Sequence, residues 1–166
     1  MIWMTQVQFI ICCANCCCRS ELNYESKMHR FHTQAVISMK IKCEICPHHC
    51  SIEEGHTGFC NARSNRDGKI VCSNYGRLTS IALDPIEKKP FARFMPGTRI
   101  LSVGSYGCNL RCPFCQNCSI SMASEEQAET VFVSPEELVS KALQLIPAGN
   151  IGIAYTYNEP LISYEY

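Results

Sequence analysis

The sequence predicts an α/β fold in which a strand–helix–strand unit follows a small cysteine-rich β module. Two short apolar segments, 99–104 and 151–156, flank a stretch with helical periodicity. A helical crossover between two strands of one sheet makes them parallel. Ahead of this unit, four cysteines within eighteen positions precede a hairpin pattern, which together indicate a metal-bound β module.

Composition narrows the class of protein. The chain has 166 residues, no formal net charge and 46% hydrophobic residues, as expected for one ordinary soluble domain. Balanced charge argues against a nucleic-acid binder that acts through a basic field. No apolar run approaches the length of a membrane-spanning helix, so we expect no membrane partner.

Cysteine usage indicates metal binding in a reducing compartment. Fourteen cysteines is far above ordinary usage, and nine of them follow residue 38. In a small secreted protein such a count suggests disulfides, whereas short clustered spacings beside a βα pattern indicate metal ligands. We therefore predict a cytoplasmic location.

Residues 1–38 are predicted to be a leader without a folded role, disordered or weakly helical. They lack the basic start and cleavage site of a signal peptide, and no acylation pattern is complete. We assign no function to the five cysteines in this range. Met39 directly precedes the first cysteine cluster and would be a natural start.

The range 39–97 is predicted to be a cysteine-rich metal-binding module with a connecting loop. Four thiols form a closed-site count, so a structural metal is expected. Zinc and a second iron–sulfur cluster are both compatible with thiolate ligands, and we favour zinc. The histidines nearby (His48, His49 and His56) are expected to be polar surface. The four expected ligands are Cys43, Cys46, Cys50 and Cys60.

Further elements are predicted between this cluster and the next. Asp67-Gly68 marks a hairpin turn between two short strands, and 77–83 continues extended. Pro85 and Pro90 make 83–97 a rigid loop. The charges of Glu87-Lys88-Lys89 within it are either solvated or contact a substrate or cofactor.

A second cysteine cluster follows the strand 99–104 directly. Cys108, Cys112 and Cys115 stand at i, i+4 and i+7, so one short loop can wrap an inorganic centre from three sides. Three thiols leave a coordination position open, as chemistry requires, whereas a structural site is normally closed. The spacing favours an iron–sulfur cluster, and a zinc loop that takes Cys118 as its fourth ligand is the alternative.

The helix between the two parallel strands is predicted over 134–146. Ser134 and Glu137 form a capping box, with proline in the first turn, and Pro147 and Gly149 end the helix. One apolar face is expected to pack on the sheet. Its members are Leu138, Ala142, Leu145 and Ile146.

Taken together, the motifs resemble the radical S-adenosylmethionine superfamily. The signature is C-x-x-x-C-x-x-C with an aromatic residue before the last cysteine. Within that superfamily the chain is most similar to the radical enzyme group of the AmmeMemoRadiSam system, which is related to pyruvate formate-lyase activating enzymes. The resemblance runs from about Met39 to the last residue. The further stretches that carry it are Cys43-Glu-Ile-Cys46-Pro-His-His-Cys50, Leu83-Asp-Pro-Ile-Glu-Lys-Lys-Pro90, Gly107-Cys-Asn-Leu-Arg-Cys112 and Tyr155-Thr-Tyr-Asn-Glu-Pro160.

This resemblance implies a 4Fe–4S cluster on Cys108, Cys112 and Cys115, with Cys118 a bystander. The fourth iron would bind S-adenosylmethionine, whose reductive cleavage gives a 5′-deoxyadenosyl radical that abstracts a hydrogen atom. Phe114 would pack by the cluster or adenine, and Glu159 would attract the ammonium of the cofactor. Tyr157-Asn158 stands where the superfamily often has two glycines, so backbone carbonyls would hold the cofactor there.

The resemblance further implies partners and an incomplete barrel. An electron donor such as a flavodoxin or ferredoxin is expected, together with a substrate of unknown identity that is possibly a protein. Residues 98–166 would be the start of a partial (β/α) barrel, which usually runs to ~250 residues. We therefore expect a truncated sequence that is inactive by itself. A competing class is a non-enzymatic zinc module for protein or RNA contact, built from two cysteine knuckles.

Overall fold

The computed structural model describes residues 40–91 and 93–166. Within these ranges the chain forms short strands, two α-helices and three single turns of 3-10 helix. The strands are β1 (Ile41–Lys42), β2 (Ser51–Ile52), β3 (Arg63–Arg66), β4 (Lys69–Cys72), β5 (Arg77–Pro85), β6 (Arg99–Ser105), β7 (Val131–Phe132) and β8 (Asn150–Tyr155). The α-helices are α1 (Cys118–Ser121) and α2 (Pro135–Gln144), and the 3-10 turns are Ile86–Lys88, Ile146–Ala148 and Pro160–Ser163.

A four-stranded sheet of order β7-β5-β6-β8 is the largest sheet of the described residues. β6 and β8 pair in parallel, which confirms the prediction from the helical crossover. β5 pairs antiparallel with β6 from Leu78 to Pro85 and with β7 at its other edge. The expected module boundary at residue 97 therefore falls between two paired strands of one sheet.

The core lies between this sheet and α2. Leu101 and Val103 of β6 are 1% exposed, and they pack with Leu138 and Ala142 of α2. This contact confirms most of the predicted apolar face. Ile146 is the exception, because it lies in the 3-10 turn after α2 and its side chain is 56% exposed.

The residues that the sequence predicts to begin and end the helix do so at the start of α2 and at the end of the turn that follows it. The Ser134 hydroxyl accepts a hydrogen bond from the Glu137 amide at 3.2 Å, and the Glu137 carboxylate accepts one from the Ser134 amide at 2.8 Å. This reciprocal pair is the capping box. Gly149 has φ 89° at the end of the following turn, a left-handed conformation that glycine adopts without a Cβ clash.

The predicted hairpin is also confirmed. β3 and β4 pair antiparallel, with Arg66 opposite Lys69. Asp67 and Gly68 have φ 53° and 71°, which is the positive-φ pair of a type I′ turn. The Glu54 carboxylate accepts hydrogen bonds from both turn amides, at 2.7 and 3.0 Å.

Two features of the structure differ from what the sequence predicts. The loop predicted over 83–97 contains one 3-10 turn, Ile86–Lys88, after β5 has continued to Pro85. The four-residue helix α1 was not predicted. The leader 1–38 lies outside the described residues. None of the helices in the part that the structure describes is long and apolar enough to cross a membrane.

Candidate metal and cofactor site

Two of the predicted site segments leave the sheet at the same edge. Because β6 and β8 are parallel neighbours, their C-terminal ends lie side by side. The loop with the three cysteines follows Ser105 of β6, and the segment 156–159 follows Tyr155 of β8. The Thr156 amide donates to the Val103 carbonyl at 2.8 Å, so β6 and the residue after β8 are still hydrogen-bonded where the two segments begin.

Asn158 joins these two segments directly. Its side-chain oxygen accepts a hydrogen bond from the Ser105 amide at 3.1 Å, and its side-chain nitrogen donates to the Gly107 carbonyl at 2.9 Å. Ser105 is the last residue of β6, and Gly107 directly precedes Cys108. The structure therefore places one of the predicted cofactor residues against the base of the cysteine loop.

Tyr157 lies close to the backbone of β6. A Cβ at Gly104 would stand 2.7 Å from the Thr156 carbonyl oxygen and 2.8 Å from Cδ2 of Tyr157, so only glycine fits this contact. Tyr157 itself has φ 70°, which is the left-handed region that non-glycine residues rarely occupy. Strain of this kind clusters at functional sites.

The three cysteines differ in exposure and in the groups around their sulfurs. Cys108 is buried, while Cys112 and Cys115 are half-buried. The Leu110 amide donates to Cys108 Sγ at 3.4 Å, and Ser121 Oγ lies 3.3 Å from Cys115 Sγ. Hydrogen bonds to thiolate sulfurs are one of the means by which proteins tune iron–sulfur clusters, so this donor set fits such a group.

Cys118 differs from these three in its setting. It is the first residue of α1 and is exposed, whereas Cys115 packs against Ser121 at the other end of that helix. Its bystander role stays a prediction.

Two other side chains of the loop have groups that make no hydrogen bond or are largely exposed. Asn109 Oδ1 is buried and has no hydrogen-bond partner among the described residues. Such an orphaned acceptor favours a bound group or water at the loop, since burying it unpaired is costly. The Phe114 ring is 82% exposed, so its expected packing against a cofactor stays a prediction.

Glu159 has a local role that the sequence also allows. Its Oε1 accepts the Leu161 amide at 3.3 Å and caps the 3-10 turn Pro160–Ser163. A carboxylate has about four acceptor positions, so this contact leaves capacity for a cation. Its role toward an ammonium group stays a prediction.

The four cysteines of the predicted structural metal site line one small cavity. Cys43, Cys46, Cys50 and Cys60 all border it, and its volume is about 10 Å³. Burial raises the pKa of the Cys60 thiol, while hydrogen bonds from the Ala62 and Arg63 amides act in the opposite direction. The neighbouring Cys43 and Cys46 thiols raise the pKa of Cys60 further, since like charges oppose each other's ionisation. The predicted closed set is thus gathered at one place in the fold.

The side chains as they stand are not a formed metal site. In the ranges 40–91 and 93–166, no group of three or more His, Cys, Asp or Glu side chains is arranged to hold a metal ion. Ligation at either cluster would require the thiols to rotate toward a common point.

The two cysteine clusters are in direct contact through the backbone. The Cys108 amide donates to the Cys60 carbonyl at 3.0 Å. Gly107 has φ 81°, and a Cβ there would lie 2.5 Å from that same carbonyl oxygen. The loop that carries Cys108 is therefore docked on the turn that carries Cys60.

Side chains of the module add a second connection. His48 Nε2 lies 2.8 Å from the Asn109 carbonyl oxygen, and its ring stacks on Phe59 with centroids 4.2 Å apart. Arg111 donates to the Phe59 carbonyl at 3.2 Å and its guanidinium lies 4.5 Å from the centre of that ring. His48 is polar surface as predicted, yet it also holds the neighbouring loop.

Sequence reasoning missed Arg63, which is 2% exposed. Its Nε donates to the Ile162 carbonyl at 2.6 Å, and its guanidinium pairs with the Glu165 carboxylate. Arg63 and Ile162 also border the four-cysteine cavity. An arginine in a hairpin strand reads as a surface residue, so nothing in the local pattern indicates this position.

Sequence reasoning also missed Asp84, whose hydrogen bonds show where the charged side chains of the following loop lie. It is 5% exposed and accepts hydrogen bonds from Lys88 at 2.9 Å, from Lys89 at 3.0 Å and from the Tyr157 hydroxyl at 2.9 Å. Burial alone would raise the pKa of Asp84, but these donors lower it below its ordinary value. Glu87 instead accepts the Gly97 amide at 2.7 Å. The loop thus contacts the predicted cofactor segment through Tyr157, and its two lysines are paired with Asp84.

Comparison with known proteins gives one curated relative. The chain is 43% identical over 127 residues to "Uncharacterized protein MJ0808" of Methanocaldococcus jannaschii. The matched region covers 76% of this chain and 37% of that relative, so the chain spans well under half of the relative's length. No family model matches the sequence, and no solved structure matches it.

Proposed function

We propose that this chain carries the cluster-binding part of a radical S-adenosylmethionine enzyme. In this proposal Cys108, Cys112 and Cys115 hold a 4Fe–4S cluster, and the segment 157–159 holds the amino-acid end of S-adenosylmethionine. The supporting observation is the pair of hydrogen bonds by which Asn158 joins that segment to the loop base at Ser105 and Gly107. A cluster and a cofactor that must touch each other need this kind of shared anchor.

The fold is proposed to be the start of a partial (β/α) barrel. The parallel pair β6 and β8, joined through α2, is the unit from which such barrels are built. Barrel enzymes carry their chemistry at the C-terminal ends of the strands, and both proposed site segments follow those ends. The antiparallel strands β5 and β7 extend the sheet at the opposite edge.

The chain's own residues would position and shield the reacting groups. Once bound, the cluster and S-adenosylmethionine would together supply reductive radical chemistry, with hydrogen abstraction from a substrate. Glu159 would accept from the cofactor ammonium, and the exposed Phe114 ring would cover the site against water. Tyr157, held by Asp84, would keep the backbone carbonyls of the segment in place.

Electron donor and substrate follow from the resemblance alone. We propose a flavodoxin- or ferredoxin-like electron donor and a cytoplasmic location, with a protein as one candidate substrate. These assignments rest on the similarity of motifs.

A zinc-binding interaction module is the competing proposal. It is favoured by the existence of a second, four-cysteine set that borders its own cavity. Under that proposal Cys118 completes the three-cysteine loop as a closed zinc site. The two proposals therefore assign opposite roles to Cys118.

Anaerobic reconstitution with iron and sulfide tests the choice. We expect a brown, oxygen-sensitive protein with about four iron and four labile sulfide per chain at this loop. Alanine at Cys108, Cys112 or Cys115 should abolish the associated absorbance, and Cys118→Ala should leave it intact. Zinc without labile sulfide, or loss of the metal in Cys118→Ala, would overturn the enzyme proposal.

Cofactor cleavage is the second readout. The protein loaded with its cluster should release 5′-deoxyadenosine from S-adenosylmethionine under strong reductant, and Cys118→Ala should retain that release. A loaded cluster that leaves S-adenosylmethionine intact would contradict the assignment.

A further inference from the structure

We propose that Cys43, Cys46, Cys50 and Cys60 bind a single zinc ion, and that this ion fixes the position of the loop that carries Cys108. The zinc site does not depend on the proposed enzyme function. The second part of the proposal uses only the contacts between the two loops, so each part is tested without iron or S-adenosylmethionine.

The donor set and the size of the cavity favour one ion. Four thiolates complete a tetrahedral zinc site and leave no open position. The cavity that all four cysteines border holds about 10 Å³, which is close to the space of one small sphere. A second iron–sulfur cluster is the alternative that the sequence leaves open, and metal analysis decides between the two.

The backbone of the module is already shaped for ligation. The Cys43 amide donates to the Cys50 carbonyl at 2.9 Å, and the His49 amide donates to the Cys46 carbonyl at 3.2 Å. The Phe59 amide donates to Cys50 Sγ at 3.4 Å. These bonds fix the backbone around three of the four cysteines that border the cavity.

Charge at the cavity also suits a tetrathiolate. Four thiolates around one divalent ion carry a net charge of −2, which is costly to bury without a counter-charge. The buried Arg63 borders the cavity and brings a permanent positive charge there, although its guanidinium is already paired with the Glu165 carboxylate and so offsets only part of that charge. The Phe59 amide donates to Cys50 Sγ, and the Ala62 and Arg63 amides donate to the Cys60 thiol, so these donors orient two of the sulfurs.

Zinc binding would reach the second loop through residues beside the ligands. Cys60, itself a ligand, accepts the Cys108 amide through its carbonyl oxygen. Phe59 precedes Cys60 and accepts from Arg111, while His48 lies between Cys46 and Cys50 and holds the Asn109 carbonyl. Ordering the four ligands therefore orders every one of these contacts with the loop.

Metal content is the first test. We expect the full chain, purified without chelator, to contain one zinc ion per chain by elemental analysis. Cobalt in place of zinc should give intense thiolate-to-cobalt charge transfer and the ligand-field bands of a tetrahedral site. Cys50→Ser should lose the bound zinc and these bands, and the matched control Cys118→Ser should retain both.

Three outcomes would overturn the zinc site. They are a chain without tightly bound zinc, zinc retained in Cys50→Ser, and iron with labile sulfide that persists after Cys108→Ala. Because Cys50→Ser could also fail through misfolding, the chelator-treated chain refilled with zinc or cobalt provides a measurement on unaltered sequence.

Hydrogen exchange tests the connection to the Cys108 loop. Unaltered chain is compared with and without zinc, in both cases free of iron. Zinc should slow exchange in peptides that cover 106–112, where the Cys108 amide lies, and should leave α2 unchanged. Equal exchange of 106–112 in the two samples would overturn the connection while leaving the zinc site in place. If the loop with Cys108 binds zinc instead of an iron–sulfur cluster, the chain contains about two zinc ions and Cys118→Ser loses one of them, so failure of the iron–sulfur proposal is recognised separately.

Discussion

Asp84 shows how much a single side chain depends on its surroundings. The sequence places it in a charged, proline-bounded loop, where a solvated carboxylate is the ordinary expectation. In the structure it is 5% exposed and receives hydrogen bonds from two lysines and the Tyr157 hydroxyl. A buried charge of this kind is retained only when it is paired. Its partners here come from the loop that follows β5 and from the segment that follows β8.

Asp84→Asn is therefore expected to destabilise the chain. The change leaves Lys89, which is 13% exposed, without its charged partner. We expect a loss of about 3 kcal/mol in the free energy of unfolding, the lower end for a broken buried pair since Lys88 is largely exposed. Denaturant titration measures the loss, with Asp67→Asn in the exposed hairpin turn as the matched control. A loss no larger than that of the control would contradict the assigned role.

The pH dependence of this difference has a definite sign. Burial opposes ionisation of Asp84, but its donors hold the pKa of the folded state below the ordinary value of about 4. Stability from a lowered carboxylate pKa is fully present above the unfolded pKa and is lost as pH falls toward the folded pKa. The difference between the unaltered chain and Asp84→Asn should thus be constant above about pH 5 and shrink below about pH 4. A difference that stays constant on acidification would refute this account.

The pairing of β6 with β8 depends on one small residue. Gly104 lies where the segment after β8 crosses the end of β6, and a Cβ there would stand 2.7 Å from the Thr156 carbonyl oxygen. Gly152, in β8 itself, has nothing within 4 Å of the corresponding position. The two glycines therefore differ in the space around them, although both lie in neighbouring strands of one sheet.

Gly104→Ala and Gly152→Ala form a matched pair. We expect Gly104→Ala to cost about 1–3 kcal/mol, because the backbone of 156–157 must move to accept the methyl group. Gly152→Ala should be neutral or slightly stabilising, since alanine reduces the freedom of the unfolded chain. Thermal or denaturant unfolding measures both. Equal effects of the two changes would contradict the close approach at Gly104.

Arg63 connects distant parts of the described chain. It lies in β3 of the cysteine module, yet it donates to the Ile162 carbonyl and pairs with Glu165 near the last residue. Its guanidinium also lies 5.3 Å from the centre of the Tyr164 ring. Because Ile162 packs with Cys60 and Ala62, this one contact holds the segment after the proposed cofactor site against the proposed metal module.

Arg63→Ala should release that segment. Removal of the guanidinium leaves the buried Ile162 carbonyl unpaired, while Glu165 is 36% exposed and can be hydrated, so we expect a loss of about 1–3 kcal/mol in unfolding free energy. Hydrogen exchange in peptides covering 160–166 should become faster than in the unaltered chain, while exchange in the strands of the main sheet stays the same. Arg66→Ala is the control, because Arg66 is 54% exposed and pairs with Glu125, a contact worth about 0–1 kcal/mol. Retained protection of 160–166 in Arg63→Ala would refute the connection.

Local rules account for the parts that the sequence predicted correctly. The capping box of Ser134 and Glu137, the Asp67-Gly68 turn and the parallel pairing through α2 each depend on residues a few positions apart or on the length of one connection. The grouping of four cysteines about one cavity also followed from spacing. The metals, the cofactor and the reaction stay predictions.

What the sequence by itself determined is therefore the set of elements and the residue types available for chemistry. Only the tertiary structure decided that β5 joins the main sheet, that Asn158 joins two segments, and that the two cysteine loops contact each other. Such contacts join residues up to 102 positions apart and depend on shape, burial and pairing of whole segments. No periodicity or spacing within one segment records them, because the partner group is supplied by a distant part of the chain.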